Sequence, residues 1–138
     1  MPPVADLTEL LRRLEPSLNA GTFVFGTLAP NQDVGLAEVV ALVREPEGIS
    51  VVVAEQVSAR IGLKSAMRCA WITLTVNSDL QAVGLTAAFS SVLGKAGISC
   101  NVVAGTNHDH IFVPVHQAQA AMGELRSLQK SELQADAR

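Results

Sequence analysis

The chain has 138 residues, of which 49% are apolar, 17% charged and 4% aromatic, with a formal net charge of −3 at pH 7. That length suits one ordinary domain or two very small ones, and the apolar share is enough for a core without disulfides or metal. The acidic balance, the lack of a basic cluster and the absence of Tyr argue against nucleic acid, a base-stacking platform or an anionic membrane surface as partners.

Met1-Pro2-Pro3 leads into an acidic, amphipathic segment unlike a signal peptide, and no apolar run reaches the length of a membrane span. A soluble, cytoplasmic protein is expected. Cys69 and Cys100 sit in apolar surroundings and read as free thiols of a reducing compartment.

Asp6 to Glu15 is expected to be helical: Asp6 and Glu9 have capping-box spacing, Leu7, Leu10, Leu11 and Leu14 form one stripe, and Pro16 limits the helix. Gly21 to Leu28 reads as a strand, and Ala29 to Gly35 as a polar connection. Val39 to Arg44 and Ile49 to Ala54 form a hairpin about the turn Glu45-Pro46-Glu47-Gly48. Glu55 to Ile61 is a short helix stopped by Gly62. Lys64 to Val76 contains a strand, clearest from Ala70 to Val76.

Ser78 and Gln81 have capping-box spacing ahead of the strongest helical signal in the chain, Leu85, Ala88, Phe89, Val92, Leu93 and Ala96. Gly97 ends that helix. Ile98 to Ala104 and His110 to Val115 are strands around a turn, and His116 to Leu128 is a helix with Ala118, Ala121, Met122, Leu125 and Leu128 on one face. The polar residues from Lys130 onward are expected to fray.

Displaced by 62 positions, the first half falls on the second. Ile49–Val53 lies over Ile111–Val115, the turn Glu45–Gly48 over Asn107–His110, and Val39–Arg44 over Asn101–Thr106. Identities are few, so the repeat is one of pattern: two β-β-α units, the first without a long helix. Val51-Val52-Val53 and Ile111-Phe112-Val113 are apolar on both faces, which calls for cover on both, by the other half or by a second copy in a homodimer.

The segments NSDLQAVGLTAAFSSVLGKAGISCNVVAG and HDHIFVPV, with EPEGISVVVA in the first half, resemble small bacterial proteins of two tandem ACT domains. These are similar to the regulatory part of aspartokinase and to arginine-sensing ACT proteins. The resemblance implies an α+β, ferredoxin-like fold of two tandem βαββαβ domains, the first degenerate, with antiparallel sheets and helices on one face. It places the domains at residues 1–66 and 67–138 and implies a regulator or sensor, not a catalyst, without a cofactor. Ligands of related domains lie between two ACT domains. Carried onto this chain, one wall is the corner of Asn77, Ser78, Asp79, Leu80, Val83 and Gly84, and the facing strand is Ile98, Ser99, Cys100 and Asn101. Thr106-Asn107 before His108 depart from the bulkier aromatic residues of relatives.

Elementary chemistry favours the same corner. The first turn of a helix has unpaired N–H groups and partial positive charge, which suit an amino acid's carboxylate. Gly84 would let a ligand approach the backbone, Asp79 could hold an ammonium, and Asn101 both donates and accepts. Ser78 and Asp79 are equally ordinary capping residues, and Asn101 an ordinary strand-end residue.

His108-Asp109-His110 is the other motif. Two histidines at i, i+2 share one side of a strand, and Cys100 or His116 could complete a metal site. The plainer reading is a hairpin whose side chains bond to backbone or to each other, and His110 could line the ligand interface. No G-x-S-x-G elbow, G-x-G-x-x-G or P-loop is present. The expected function is a non-catalytic sensor that binds a small amino acid and acts on a protein partner. The alternatives are a metal-dependent enzyme using His108, Asp109 and His110, or a ligand-free dimerisation module.

Overall fold

The computed structural model describes residues 3–136. Residues 1, 2, 137 and 138, which begin the segment read for a leader and end the tail expected to fray, lie outside them. Seven strands form one antiparallel sheet: β1 (Pro16–Leu18), β2 (Phe23–Leu28), β3 (Val39–Glu45), β4 (Gly48–Ala54), β5 (Met67–Leu74), β6 (Asn101–Ala104) and β7 (Asp109–Pro114). The helices are α1 (Leu7–Arg12), α2 (Glu55–Ile61), α3 (Leu85–Lys95) and α4 (Ala118–Asp136).

The strands run β3-β4-β2-β5-β7-β6, and β1 also pairs β5. Two strands therefore share one edge of β5. Phe23, Val24 and Phe25 pair Cys69, Arg68 and Met67, while Pro16, Ser17 and Leu18 pair Leu74, Thr73 and Ile72. The start of β5 completes the strand set β3-β4-β2, and β1, from the N-terminal segment, completes β5-β7-β6. Each half thus has four strands only because each takes one from beyond its own hairpin. β1 is absent from the sequence reading, since a three-residue strand opened by Pro carries no period.

The helices cover one face. Directly opposed residues on neighbouring strands point to the same side. Val24 opposes Val53, Ala70 opposes Val113 and Ile72 opposes Ile111. Val24, Val51, Val53 and Leu63 pack with Val57 and Ile61 of α2. Ala70, Ile72, Leu74, Ile111 and Val113 pack with Leu10 and Leu11 of α1, Phe89 and Leu93 of α3, and Met122 and Leu125 of α4.

The other face closes on itself. Phe23, Val52, Cys69 and Phe112 are buried there with no helix of the described residues in their cluster, packed by Phe25, Ala41, Met67, Trp71 and Val103. Ala41 of β3 and Val103 of β6 border one apolar cleft of about 50 Å³, although their strands stand at opposite ends of the order. Five spacings of a flat sheet would separate them by roughly 24 Å, so the sheet must bend strongly. Aromatic edges lock the bend: Phe25 meets Phe112 at 5.4 Å and Phe23 meets Trp71 at 5.2 Å between centroids. The second apolar face is therefore covered within the chain.

Several boundaries move. α1 stops at Arg12, and Glu15 takes a positive φ of 34° before β1 opens. Asp6 does cap α1, its carboxylate accepting from the Glu9 N–H at 3.1 Å. The strand expected from Ala70 to Val76 runs from Met67 to Leu74, and that expected from Ile98 starts at Asn101. α4 follows one turn of 3-10 helix (Val115–Gln117) and continues to Asp136, past the expected frayed start at Lys130. α2 has the expected bounds, and Gly62 stops it in the left-handed region.

Candidate functional site

The corner between β5 and α3 is built by chain segments distant in sequence. Val4 forms a parallel bridge to Ser78. Its N–H donates to the Asn77 carbonyl at 2.8 Å, and the Asp79 N–H donates to the Val4 carbonyl at 2.9 Å. Asp79 then folds the next residues into a turn, its Oδ1 accepting from the Gln81 N–H at 2.8 Å and its carbonyl from the Ala82 N–H at 2.9 Å. The expected capping box of Ser78 and Gln81 does not form. α3 starts at Leu85, with Gly84 at its N-terminus in the left-handed region, φ 104°. A Cβ on Gly84 would lie 3.0 Å from Cδ2 of Leu7, so the close approach made here is to α1.

These residues enclose a cleft of about 110 Å³, bordered by Ser78, Asp79, Leu80, Ala82, Leu85, Thr86, Ala104 and Asp109. The first turn of α3 forms one wall, where a helix presents unpaired N–H groups and partial positive charge. Two aspartates form the other. The buried Ser78 hydroxyl faces Asp109 Oδ2 at 3.5 Å, the outer limit of a hydrogen bond. Burial pushes the Asp109 carboxyl above the ordinary Asp range, against the smaller opposing effects of the Ser78 hydroxyl and the His110 charge. Leu80 and Val83 are 64% and 83% exposed, so they project from the corner.

The facing set does not join this corner within one protomer. Asn101 opposes Phe112 at the end of β6 remote from Ala104, and about three residues of strand, roughly 10 Å, separate it from the cleft. Ile98 is buried, its N–H donating to the Leu93 carbonyl at 2.9 Å where α3 ends. Ser99 is exposed and Cys100 half-buried. His110 opposes Thr73 and Val103 on the helix-free face, whereas its neighbour Asp109 borders the cleft.

The alternation of β7 thus splits the His108-Asp109-His110 motif between two sides. His108 and His110 lie 6.5 Å apart between ring centroids, and no group of three metal-ligating side chains converges among the described residues. Asp109 is the corner residue that the sequence reading assigned elsewhere. Its signal was register: in a hairpin that turns at 105–108, Asp109 must face Ala104. Burial pushes the Cys69 thiol up to about 11 and raises that of Cys100, which leaves both poor nucleophiles at neutral pH. No helix among the described residues is long and apolar enough to cross a membrane.

Residues 2–70 match a family model of the ACT domain, and residues 67–127 match another. The chain belongs to the ACT-domain family. The tandem ACT chain is 42% identical to a Vibrio cholerae protein of unknown function described as a "possible transport protein", with 89% of this chain and 95% of that one covered and a TM-score of 0.75. An Agrobacterium tumefaciens protein is 15% identical over 85% of this chain and 90% of its own, with a TM-score of 0.67. The ligand-free regulatory subunit of aspartate kinase from Thermus thermophilus is 13% identical over 82% and 95%, with a TM-score of 0.58. The last two likenesses establish the fold alone. No curated protein matches the sequence significantly. ACT domains are regulatory modules, and this chain carries two.

Proposed function

We propose that this tandem ACT chain is a non-catalytic, cytoplasmic homodimer that binds a small amino acid between ACT domains and passes the binding signal to a protein partner. Its main support is the corner cleft, where the α3 N-terminus faces Asp79 and Asp109. That pair of poles matches a zwitterion: the helix end suits the carboxylate and the aspartates suit the ammonium. The cleft, at about 110 Å³, is smaller than the roughly 300 Å³ of common ligand pockets, so a second copy must supply the remaining wall. Asn77, Ser78, Asp79, Leu80, Val83 and Gly84 form the near wall in this proposal. Ile98, Ser99, Cys100, Asn101 and His110 belong to the far one. The division into residues 1–66 and 67–138 is proposed with it, since β5 opens at Met67.

The test is a thermal-shift screen against the twenty amino acids, followed by calorimetry and sedimentation. One amino acid is expected to raise Tm, because a ligand at 100-fold its Kd adds about 2.7 kcal/mol. Asp79→Ala should abolish that shift while costing the free protein about 1 kcal/mol for the lost turn bond. Asp109→Asn should abolish it without loss of stability. The folded Asp109 holds its proton more tightly than the unfolded one, so its charge lowers stability as pH rises above the ordinary carboxylate range. A screen with no responding amino acid, or a response that survives both substitutions, rejects the proposal.

A further inference from the structure

The helix-free face holds a polar network outside the corner. The Trp71 indole N–H donates to His110 Nδ1 at 3.0 Å. An indole N–H only donates, so Nδ1 presents its lone pair and the single ring proton sits on Nε2. Thr73 Oγ1 lies 3.2 Å from the same nitrogen. Asn19 Nδ2 donates to that hydroxyl at 2.9 Å and to the Trp71 carbonyl at 3.1 Å, and the Asn19 backbone N–H donates to that carbonyl at 2.9 Å. Asn19 is the first residue after β1. One run of hydrogen bonds therefore reaches from the β1–β2 link, across β5, to β7.

The surroundings of His110 are sparse in charge. β5 offers Trp71 and Thr73, the β1–β2 link offers Asn19, and β6 offers Val103, all uncharged. The turn offers Gly105, whose added Cβ would lie 3.2 Å from Nε2, and the His108 ring, edge-on at 6.5 Å. On β7 itself Asp109 borders the cleft of the opposite face.

We propose that His110 and Trp71 form a proton-operated latch on the helix-free face, beside the β1–β2 link. Neutral His110 accepts from the indole, while Asn19 donates to the Thr73 hydroxyl and the Trp71 carbonyl beside it. Protonation at Nδ1 turns the acceptor into a donor, two donors cannot share the bond, and the indole is released. Burial, and then the neighbouring His108, hold His110 below the ordinary His value, with Asp109 opposing. The unfolded chain therefore binds the proton more readily. The latch contributes its full stability above about pH 6.5 and loses it as pH falls through that value towards the folded one.

Trp71 is the sole tryptophan, so the latch reports on itself. The full chain is titrated from about pH 8 to about pH 5, with emission, far-ultraviolet dichroism and the indole N–H resonance followed together. A single transition in emission and in the indole resonance is expected while the dichroism holds. His110→Gln keeps a carbonyl acceptor for the indole but cannot titrate, and should abolish the transition. Trp71→Phe should raise the His110 midpoint in NMR, because the donor that opposes protonation is gone. A transition that persists in His110→Gln overturns the latch. Nitrogen shifts of the unaltered protein decide independently of any variant: a His110 proton found on Nδ1 at neutral pH also overturns it.

Discussion

Between its first strand and its hairpin, the N-terminal half has residues 29–38, a loop closed by one turn of 3-10 helix at Leu36–Glu38. The C-terminal half has the eleven-residue α3 in that place. The hairpins that follow are the same unit: β3 and β4 lead into α2, and β6 and β7 lead towards α4. The 62-residue displacement sets Ile49 against Ile111, but the pairing matches the hairpins at 60: Val51 faces Leu42 as Ile111 faces Val102, and both are buried. Ile49 is 37% exposed, while Ile111 is fully buried. Ile49 stands beside its hairpin turn, where the second half has Asp109, so its exposure reflects that place at the end of the sheet. α3 also creates the corner of the proposed site, since a helix start is needed to give the cleft its positive wall. The N-terminal half lends strands and a bent sheet, and the C-terminal half holds the corner cleft.

The sharpest test sets the covered Ile111 against the turn-side Ile49. Ile111→Ala should cost about 2–5 kcal/mol in urea unfolding, and Ile49→Ala no more than about 1 kcal/mol. Equal losses would mean that a second copy covers the turn end of β4. The two helix-opening glycines give a smaller contrast. Gly84→Ala forces φ 104° and a 3.0 Å contact with Leu7 on a side chain, at a cost of about 1–2 kcal/mol. Gly35→Ala has φ −69° and only Glu38 within reach, so it should fall within about 0.5 kcal/mol. The smallest effect belongs to Arg68 on β5, whose guanidinium grips Glu55 of α2 at 2.5 Å and 3.2 Å. The pair is exposed, so Arg68→Ala should lower Tm slightly in dilute buffer and not measurably in high salt.

Much of the corner was legible as residues but not as geometry. Ser78 and Asp79 stood out as capping residues, yet they do not cap α3. Their backbone is tied to Val4 and the Asp79 carboxylate folds its own turn, and Val4 is more than seventy positions away. Asp109 was read with its histidine neighbours because i, i+2 spacing groups His108 with His110. The strand alternation that joins those two also sends Asp109 to the opposite face, beside Ser78. Of the two completing strands, Pro16–Leu18 is not a periodic run and carries no strand signal, whereas Met67–Cys69 falls within the segment Lys64 to Val76 expected to contain a strand. Pro16–Leu18 is ordered by the free edge of β5, and Met67–Cys69 by β2.

The sequence by itself determined whatever depends on near neighbours. The Phe89 and Leu93 stripe of α3, the Pro46-Glu47 turn and the left-handed stops at Gly62 and Gly97 follow from local sterics and side-chain period. Tertiary structure alone decided which strand completes which half, that the sheet bends until β3 and β6 border one cleft, and which side chains meet at the corner. Those outcomes depend on hydrogen-bond edges and apolar faces that find partners tens of residues away. Pairing of that kind leaves no period in the chain because its energy lies between segments and not within them.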